Sequence, residues 1–322
     1  MKTKLFPLLL ACVFTLALAS SCTRTVEDDG GLVITVKVDT TEIEDINYRD
    51  NIQSVIMARL ASAEINDPVF EWINDSTYVV RLPKFHDRET AERLLTAEAK
   101  FVFYKQFNEE DMPAIKRILE ELNKVTADGT DSLANVAPTI HQWNGDIVLH
   151  SAEVKDTAAI NKFIFSERGQ EALGKNVKLA WTIKPEEREC TDAQHNRVNK
   201  NLLDLLIVDA HPLLTGEVIT DAIVEFEQSI KRPCVLMKMN DEGTRKWADI
   251  TEEANKNNHQ CIAMALDDQV YTYPHVNGRI DGGNTQITGN FTEEEAKELS
   301  LFIKNGILIG KPTVIDIKEI NK

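Results

Sequence analysis

Residues 32 to 105 switch between two hydrophobic periods in a set order, and that order restricts the fold more than any other feature of the chain. LVITVKVD (32–39) is rich in β-branched residues and predicts a strand. RDNIQSVIMARLASAE (49–64) then places Ile52, Val55, Ile56, Arg59 and Leu60 at helical spacing. PVFEWI and STYVVRLP predict two short strands around an Asn74-Asp75 turn, DRETAERLLTAEAK (87–100) a second helix, and FVFYKQF a fourth strand. The succession β-α-β-β-α-β is that of a ferredoxin-like unit.

A second alternating block begins at Leu203. LLDLLIVDA, EVITDAIVEFEQ and PCVLMKMN read as strands, DEGTRKWADITEEANKN as a capped helix, and CIAMAL with QVYTYPHV as a hairpin around Asp267-Asp268. The glycine turn Asp281-Gly282-Gly283 leads through Gly289 to a capping box. There the Thr292 hydroxyl bonds the Glu295 amide and the Glu295 carboxylate reaches back. Ala296, Leu299, Phe302 and Ile303 recur at helical spacing, and Gly306 closes the helix in a left-handed conformation. PTVIDIKEI predicts a last strand. Between the two blocks, NEEDMPAIKRILEELNKV reads as helical and ADGTDSLANVAPTIHQWNGD as a loop. DIVLHS, DTAAINKFIFSERGQEAL and VKLAWTIKP follow as strand, helix and strand, and the charged PEERECTDAQHNR reads as a boundary loop. The expected class is α+β.

In front of both blocks, Lys2 and Lys4 precede the apolar run LFPLLLACVFTLALA and then Ser20-Ser21-Cys22. The run is shorter than the roughly 18 residues of a spanning helix. Small residues directly before a cysteine resemble the lipobox of bacterial lipoproteins, although Ala19 stands where leucine is commoner. That resemblance implies that residues 1–21 are a signal peptide and that Cys22 is acylated and anchors the chain to a membrane. The alternative is an ordinary secretory leader with an incidental cysteine. Residues 22–31 then form a polar, glycine-ended tether, and no later segment is long and apolar enough to span a bilayer. In an oxidising compartment Cys190, Cys234 and Cys261 are either one disulfide with one thiol, or three buried thiols. The net charge of −16 offers no basic stripe for nucleic acid and opposes docking by charge alone on an anionic membrane.

Reactive motifs are missing. His86, His141, His150, His195, His211, His259 and His275 are scattered without HExxH or another ligand spacing, so neither a metal nor a cofactor is expected. Asp281-Gly-Gly is not followed by a P-loop lysine, and no GxGxxG or GxSxG is present, so no catalytic residue is assigned. Asn290-Phe-Thr matches a glycosylation acceptor, but Thr292 is better explained as an N-cap. Met237, Met239 and Met264 fit core packing better than an adaptable groove.

LTGEVITDAIVEF (214–226), MNDEGTRKWADITEEAN (239–255), IAMALDDQVYTYPHVNGRIDGGNTQITGNFTEEEAKEL (262–299) and IKNGIL resemble the first periplasmic domain of SecD, or of fused SecDF, in the bacterial protein translocase. DDGGLVITVKVDT, NIQSVIMARL, YVVRLP and ERLLTAEAKFVFY match its beginning, and the likeness is weakest between 106 and 200. Asp29 replaces the family's arginine before the glycine pair, and Ile309-Gly310-Lys311-Pro312 replaces its Leu-Pro connection to a membrane helix. The resemblance implies a ferredoxin-like base with an inserted α+β head. The expected division is base 32–105, intermediate region 106–202, head 203–309, and a strand within 310–322 returning to the base.

The resemblance further implies an accessory of protein export at the cell envelope, facing the periplasm or exterior. Without the family's transmembrane helices it would have no proton coupling of its own. Its expected partners are unfolded or exported polypeptide, translocase subunits, or both. Tyr271, Tyr273, Pro274 and Phe291 form the candidate polypeptide-binding surface, with Gly282, Gly283, Gly289, Thr292 and Glu295 as turn and cap residues. Two rival readings remain: a docking module of an envelope complex that never meets unfolded chain, and a small-molecule site on a reused fold.

Overall fold

The computed structural model describes residues 26–108, 111–117, 120, 141–143, 146–191, 195–227 and 230–321. The leader, Cys22 and most of the loop expected at 127–146 lie outside the described residues. Among the described residues no helix is long and apolar enough to cross a membrane.

The chain enters through a single helical turn, α1 (Val26–Asp29), and strand β1 (Gly31–Lys37). The expected tether therefore ends in structure, with Val26 fully buried. At Gly31, φ is +130° and an added Cβ would collide with the Leu82 carbonyl oxygen, so this entry requires glycine. Helix α2 (Tyr48–Ser62), strands β2 (Val69–Asn74) and β3 (Thr77–Pro83), and helix α3 (Arg88–Thr96) follow. Asp87 caps α3 by accepting the Thr90 amide at 3.1 Å. Leu32, Ile34 and Val36 alternate on β1 and pack against Ile52, Ile56 and Leu60 of α2 and Leu94 and Leu95 of α3.

Strands β4 (Phe101–Lys105), β5 (His141–Trp143) and β6 (Asp146–Glu153) lead to helices α4 (Val154–Ile164) and α5 (Glu167–Leu173). Then come β7 (Val177–Trp181), β8 (Glu186–Thr191), β9 (Arg197–Asp209), β10 (Leu214–Thr215), β11 (Ile219–Phe226) and β12 (Pro233–Met239). Helix α6 (Asp241–Lys256), strands β13 (Ile262–Leu266), β14 (Gln269–Thr272) and β15 (Asn284–Ile287), helix α7 (Glu293–Asn305) and strand β16 (Thr313–Ile320) complete the order.

The first sheet runs β16-β1-β3-β2, antiparallel throughout. Counting only its own strands this is the order 4-1-3-2, and its fourth strand is β16. Phe101–Lys105, expected in that place, belongs to a second sheet, β10-β4-β13-β14. The reason is packing on both sides. Phe101 and Phe103 face Trp247 and Met264 in one core, while Val102 and Tyr104 face Val148, Leu206 and Val208 in another. A strand covered on both faces reads as a continuous apolar run, as Phe101–Tyr104 and Ile262–Leu266 do.

The third sheet, β11-β12-β15, shares the larger core with α6 and α7. The fourth is β5-β6-β9-β7, with β8 added along the first half of β9. The segment PEERECT, expected as a loop, is thus an antiparallel strand whose charged side chains mostly face solvent on both sides. Met237, Met239 and Met264 are core residues, Cys190 and Cys234 are free thiols, and Cys234 and Cys261 are buried. The architecture is α+β, with helices and antiparallel sheets segregated as that class requires.

Candidate functional site

The turn into β14 is set by Asp267 and Asp268, both at positive φ (49° and 66°), the conformation of a tight hairpin. Asp267 also accepts the Ala99 and Lys100 amides through its two carboxylate oxygens, which fixes the hairpin to the entry of β4. Beyond the turn, β14 and the two residues after it deliver Tyr271, Tyr273 and Pro274 to one side of a cleft of about 320 Å³. The loop after β15 supplies Gly289, Asn290 and Phe291, and the segment Thr182–Arg188 closes the opposite side. All four residues of the expected binding surface therefore line one cleft.

They are not equivalent. Tyr271, Tyr273 and Pro274 are half-buried, whereas Phe291 is 7% exposed and belongs to the larger core. The Tyr271 and Phe291 rings lie 6.4 Å apart in a tilted contact, and burial pushes the Tyr271 phenol up to about 12. A Cβ at Gly289 would press into the Phe291 ring, so a small residue is needed there. The capping box has both arms: the Thr292 hydroxyl accepts the Glu295 amide at 3.2 Å, and Glu295 Oε2 accepts the Thr292 amide at 2.7 Å. Gly283 stands at φ +65°, and Gly282 has open space around it.

Below the cleft lies a polar cluster that the sequence reading missed. Asp204 of β9 is 2% exposed, and Arg188 of β8 holds it through two nitrogens at 2.7 and 2.5 Å. Ser151 donates to its Oδ1 at 2.6 Å and Tyr273 to its Oδ2 at 2.9 Å. Burial first, and then the neighbouring Asp204 carboxylate, push the Tyr273 phenol far above its ordinary value. Both carboxylate oxygens are occupied by strong donors, so the cluster positions Tyr273 and offers no free base. One signal was present in the sequence: an aspartate inside LLDLLIV, an apolar strand, demands a buried partner.

Lys184 is the second residue missed. Its ammonium donates to the Asn290 carbonyl at 2.6 Å and pairs with Glu295 Oε2 at 2.5 Å. Partial burial works to raise the Glu295 carboxyl, but the hydrogen bonds from Lys184 and Thr292 hold it below the ordinary range. A second cleft, of about 430 Å³, opens on the far side of this pair and is lined by Ala97, Leu266, Phe302 and the carboxylates of Asp267 and Glu298. Among the described residues no His, Cys, Asp or Glu group is arranged to hold a metal ion. The arrangement provides aromatic walls, backbone groups and paired charges, which suit holding a ligand.

The fold and the cleft define an α+β domain in which a ferredoxin-like sheet carries a large inserted unit. Residues 191–309 match the family model of the SecDF P1 head subdomain. A SecD subunit of the protein translocase from Rhodothermus marinus is 33% identical over 294 residues, which is 82% of this chain and 45% of that protein. The SecD subunit of Calditerrivibrio nitroreducens is 25% identical over 290 residues, covering 89% of this chain and 44% of its own length. The chain thus spans less than half the length of these curated relatives. Among solved structures, SecDF in a super-membrane-facing form superposes with a TM-score of 0.54 at 19% identity, over 92% of this chain and 31% of that one. A structure described as a membrane component SecDF that enhances protein export gives a TM-score of 0.52 at 21% identity, over 89% of this chain and 99% of that one. This chain carries a periplasmic domain of the SecD/SecDF family.

Proposed function

We propose that this protein is a non-enzymatic, polypeptide-binding accessory of protein export, held at the cell envelope by a lipid on Cys22 and facing the periplasm or exterior. Residues 31–96 with 313–320 act as its base, and the inserted sheets between them as the binding unit. The observation that carries this reading is the convergence of Tyr271, Tyr273, Pro274 and Phe291 on one cleft beside a strand. An extended chain can add to a strand through its backbone while aromatic walls take its side chains. SecD relatives act in the translocase by name, and this supports exported polypeptide and translocase subunits as the partners.

In-cell photo-crosslinking from the Tyr271–Val276 segment tests the proposal. Adducts with many exported precursors and with translocase subunits support it. Binding that survives the Tyr271→Ala, Tyr273→Ala double substitution sinks the assigned surface. A second reading, a docking module for one folded envelope partner, draws on β11. This edge strand exposes Ile223 and Phe226, and a single crosslinked partner with no precursors would favour it.

A further inference from the structure

The two clefts are separated by a thin partition. Ile183, Lys184, Tyr271 and Phe291 line both of them. Tyr271 and Phe291 form the floor, which is tied into the core. Ile183 and Lys184 belong to the connection between β7 and β8, and their attachments are few. Thr182 is pinned to β9, its amide donating to the Asp204 carbonyl at 2.8 Å and its hydroxyl accepting the Asp204 amide at 2.9 Å. It also forms an isolated parallel bridge with Val270, and beyond it the Ile183 amide donates to the Val270 carbonyl at 2.9 Å. The Lys184 ammonium makes the two contacts described above, with Asn290 and Glu295, and both of its partners are in the head. Pro185 follows directly and contributes no amide to the sheet. The β14 edge, which an added strand would need, is therefore already occupied at Val270 by the chain itself.

We propose that Ile183–Pro185, hinged at Thr182, is a displaceable strap, an internal stand-in laid across one continuous groove, whose true occupant is an extended polypeptide presenting an apolar residue followed by a basic one. This rests on the polypeptide-binding reading and gives it a sequence preference. The strap displays the chemistry that the groove accepts: backbone groups on Val270, an aliphatic side chain lining the same clefts as Tyr271 and Phe291, and a cation at Glu295 and the Asn290 carbonyl. Charge agrees. With Lys184 lifted away, Glu298 stays paired with Arg93 and Asp267 keeps its two backbone amides, while Glu295 loses its cation, so the second cleft favours a basic partner and disfavours an acidic one. The strap is also held lightly enough to yield, because the Lys184 and Glu295 side chains are 34% and 40% exposed, where an ion pair is weakened by water. Thr182–Arg188 lies outside the residues matched by the head model, so this wall of the groove belongs to the intermediate region.

The test uses the purified protein and two fluorescein-labelled ten-residue peptides, one carrying Thr-Ile-Lys-Pro at its centre and one carrying Thr-Asp-Glu-Pro. Anisotropy titrations should show the first binding at least about tenfold more tightly than the second. Lys184→Met, which keeps the aliphatic stem but frees the strap, should tighten the first peptide about threefold to fivefold, since a self-occupied site lowers apparent affinity. Glu295→Gln preserves the capping box and should erase much of the preference for the basic peptide. Hydrogen exchange at the Ile183 amide should accelerate when the peptide binds. If the peptide binds but the Ile183 amide stays protected, or Lys184→Met binds no more tightly, the strap is refuted and the polypeptide-binding reading stands. If neither peptide binds, while crosslinks from Tyr273 still capture precursors, the proposed sequence preference and strap fail together. Absence of both signals overturns the strap and the broader reading alike.

Discussion

Tyr273 and Asp204 are 69 residues apart in the chain, yet the tyrosine hydroxyl donates to the aspartate at 2.9 Å beneath the cleft. This one contact joins the hairpin of the second sheet to the long strand of the fourth. Tyr273→Phe should keep the ring in place and cost about 1.5 kcal/mol, the lower end for a hydrogen bond to a charged group. Asp204→Asn should cost more, about 3 kcal/mol, because it removes the buried charge partner of the mostly buried Arg188 and leaves it the exposed Glu186. Urea unfolding of the two variants measures the difference, and equal losses would mean that the Arg188 pair contributes nothing.

Arg59 is fully buried and its partners are carbonyl oxygens: Leu94 and Ala97 at 3.2 and 2.6 Å, Glu98 and Gly306 at 3.3 and 3.0 Å. Burial pulls its pKa down to about 10, so the group is still charged at neutral pH. Its planar fork serves the end of α3 and the end of α7 together, a geometry that an ammonium does not reproduce. Arg59→Lys is predicted to lose about 3 kcal/mol despite keeping the charge. A loss below about 1 kcal/mol in thermal or urea unfolding would show that the fork geometry is unimportant.

Gly283 combines φ +65° with a neighbour, Thr244 Oγ1, inside the space that a Cβ would fill. Gly283→Ala should destabilise by about 2 kcal/mol, part from backbone strain and part from the clash. Adding Thr244→Ala should return the clash share and leave the backbone share. A double-mutant cycle reads the coupling directly, and strict additivity would place the whole effect in the backbone.

Acid should loosen the helix starts before it unfolds the core. Hydrogen bonds from the Thr90 side chain and amide hold the Asp87 carboxyl below its ordinary 3.8. Glu295 is likewise held below its ordinary 4.5, the bonds from Lys184 and Thr292 outweighing burial. A carboxyl with a depressed folded pKa stabilises fully above its unfolded value, and that contribution is lost as pH falls through the folded one. Unfolding midpoints should therefore be flat above about pH 5 and decline below it, with a shallower decline in Glu295→Gln. An identical decline in that variant would remove Glu295 from the account.

Much of this architecture was legible because local patterns carried it. The alternation of Leu32, Ile34 and Val36, the Asp267-Asp268 turn, the turn at Asp75-Ser76 one residue beyond its expected place, and the Thr292–Glu295 capping box each depend on residues within a few positions. Sheet membership did not follow from such signals. Phe101–Lys105 reads as a strand anywhere, and its sheet was decided by Trp247, Met264 and Leu206, more than a hundred residues later. The strand Glu186–Thr191 was hidden for another reason. Its inward positions, Arg188 and Cys190, alternate with exposed ones, but an arginine facing a buried aspartate leaves no apolar period of two to read. The aromatic residues of the cleft stood out by their type, but Lys184 and Asp204 matter through partners 111 and 69 positions away, which no spacing rule connects.

The amide of Leu308 donates to the carbonyl of Glu98 at 2.7 Å. The chain thus leaves the ferredoxin-like sheet and re-enters it through two points one hydrogen bond apart. Topologically the segment from Glu98 to Leu308 is a cartridge with adjoining terminals. The two terminals are also wired to the frame, because Leu308 is buried in the core of the ferredoxin-like sheet and Arg59 of that sheet's helix holds the Glu98 and Gly306 carbonyls on either side of the doorway.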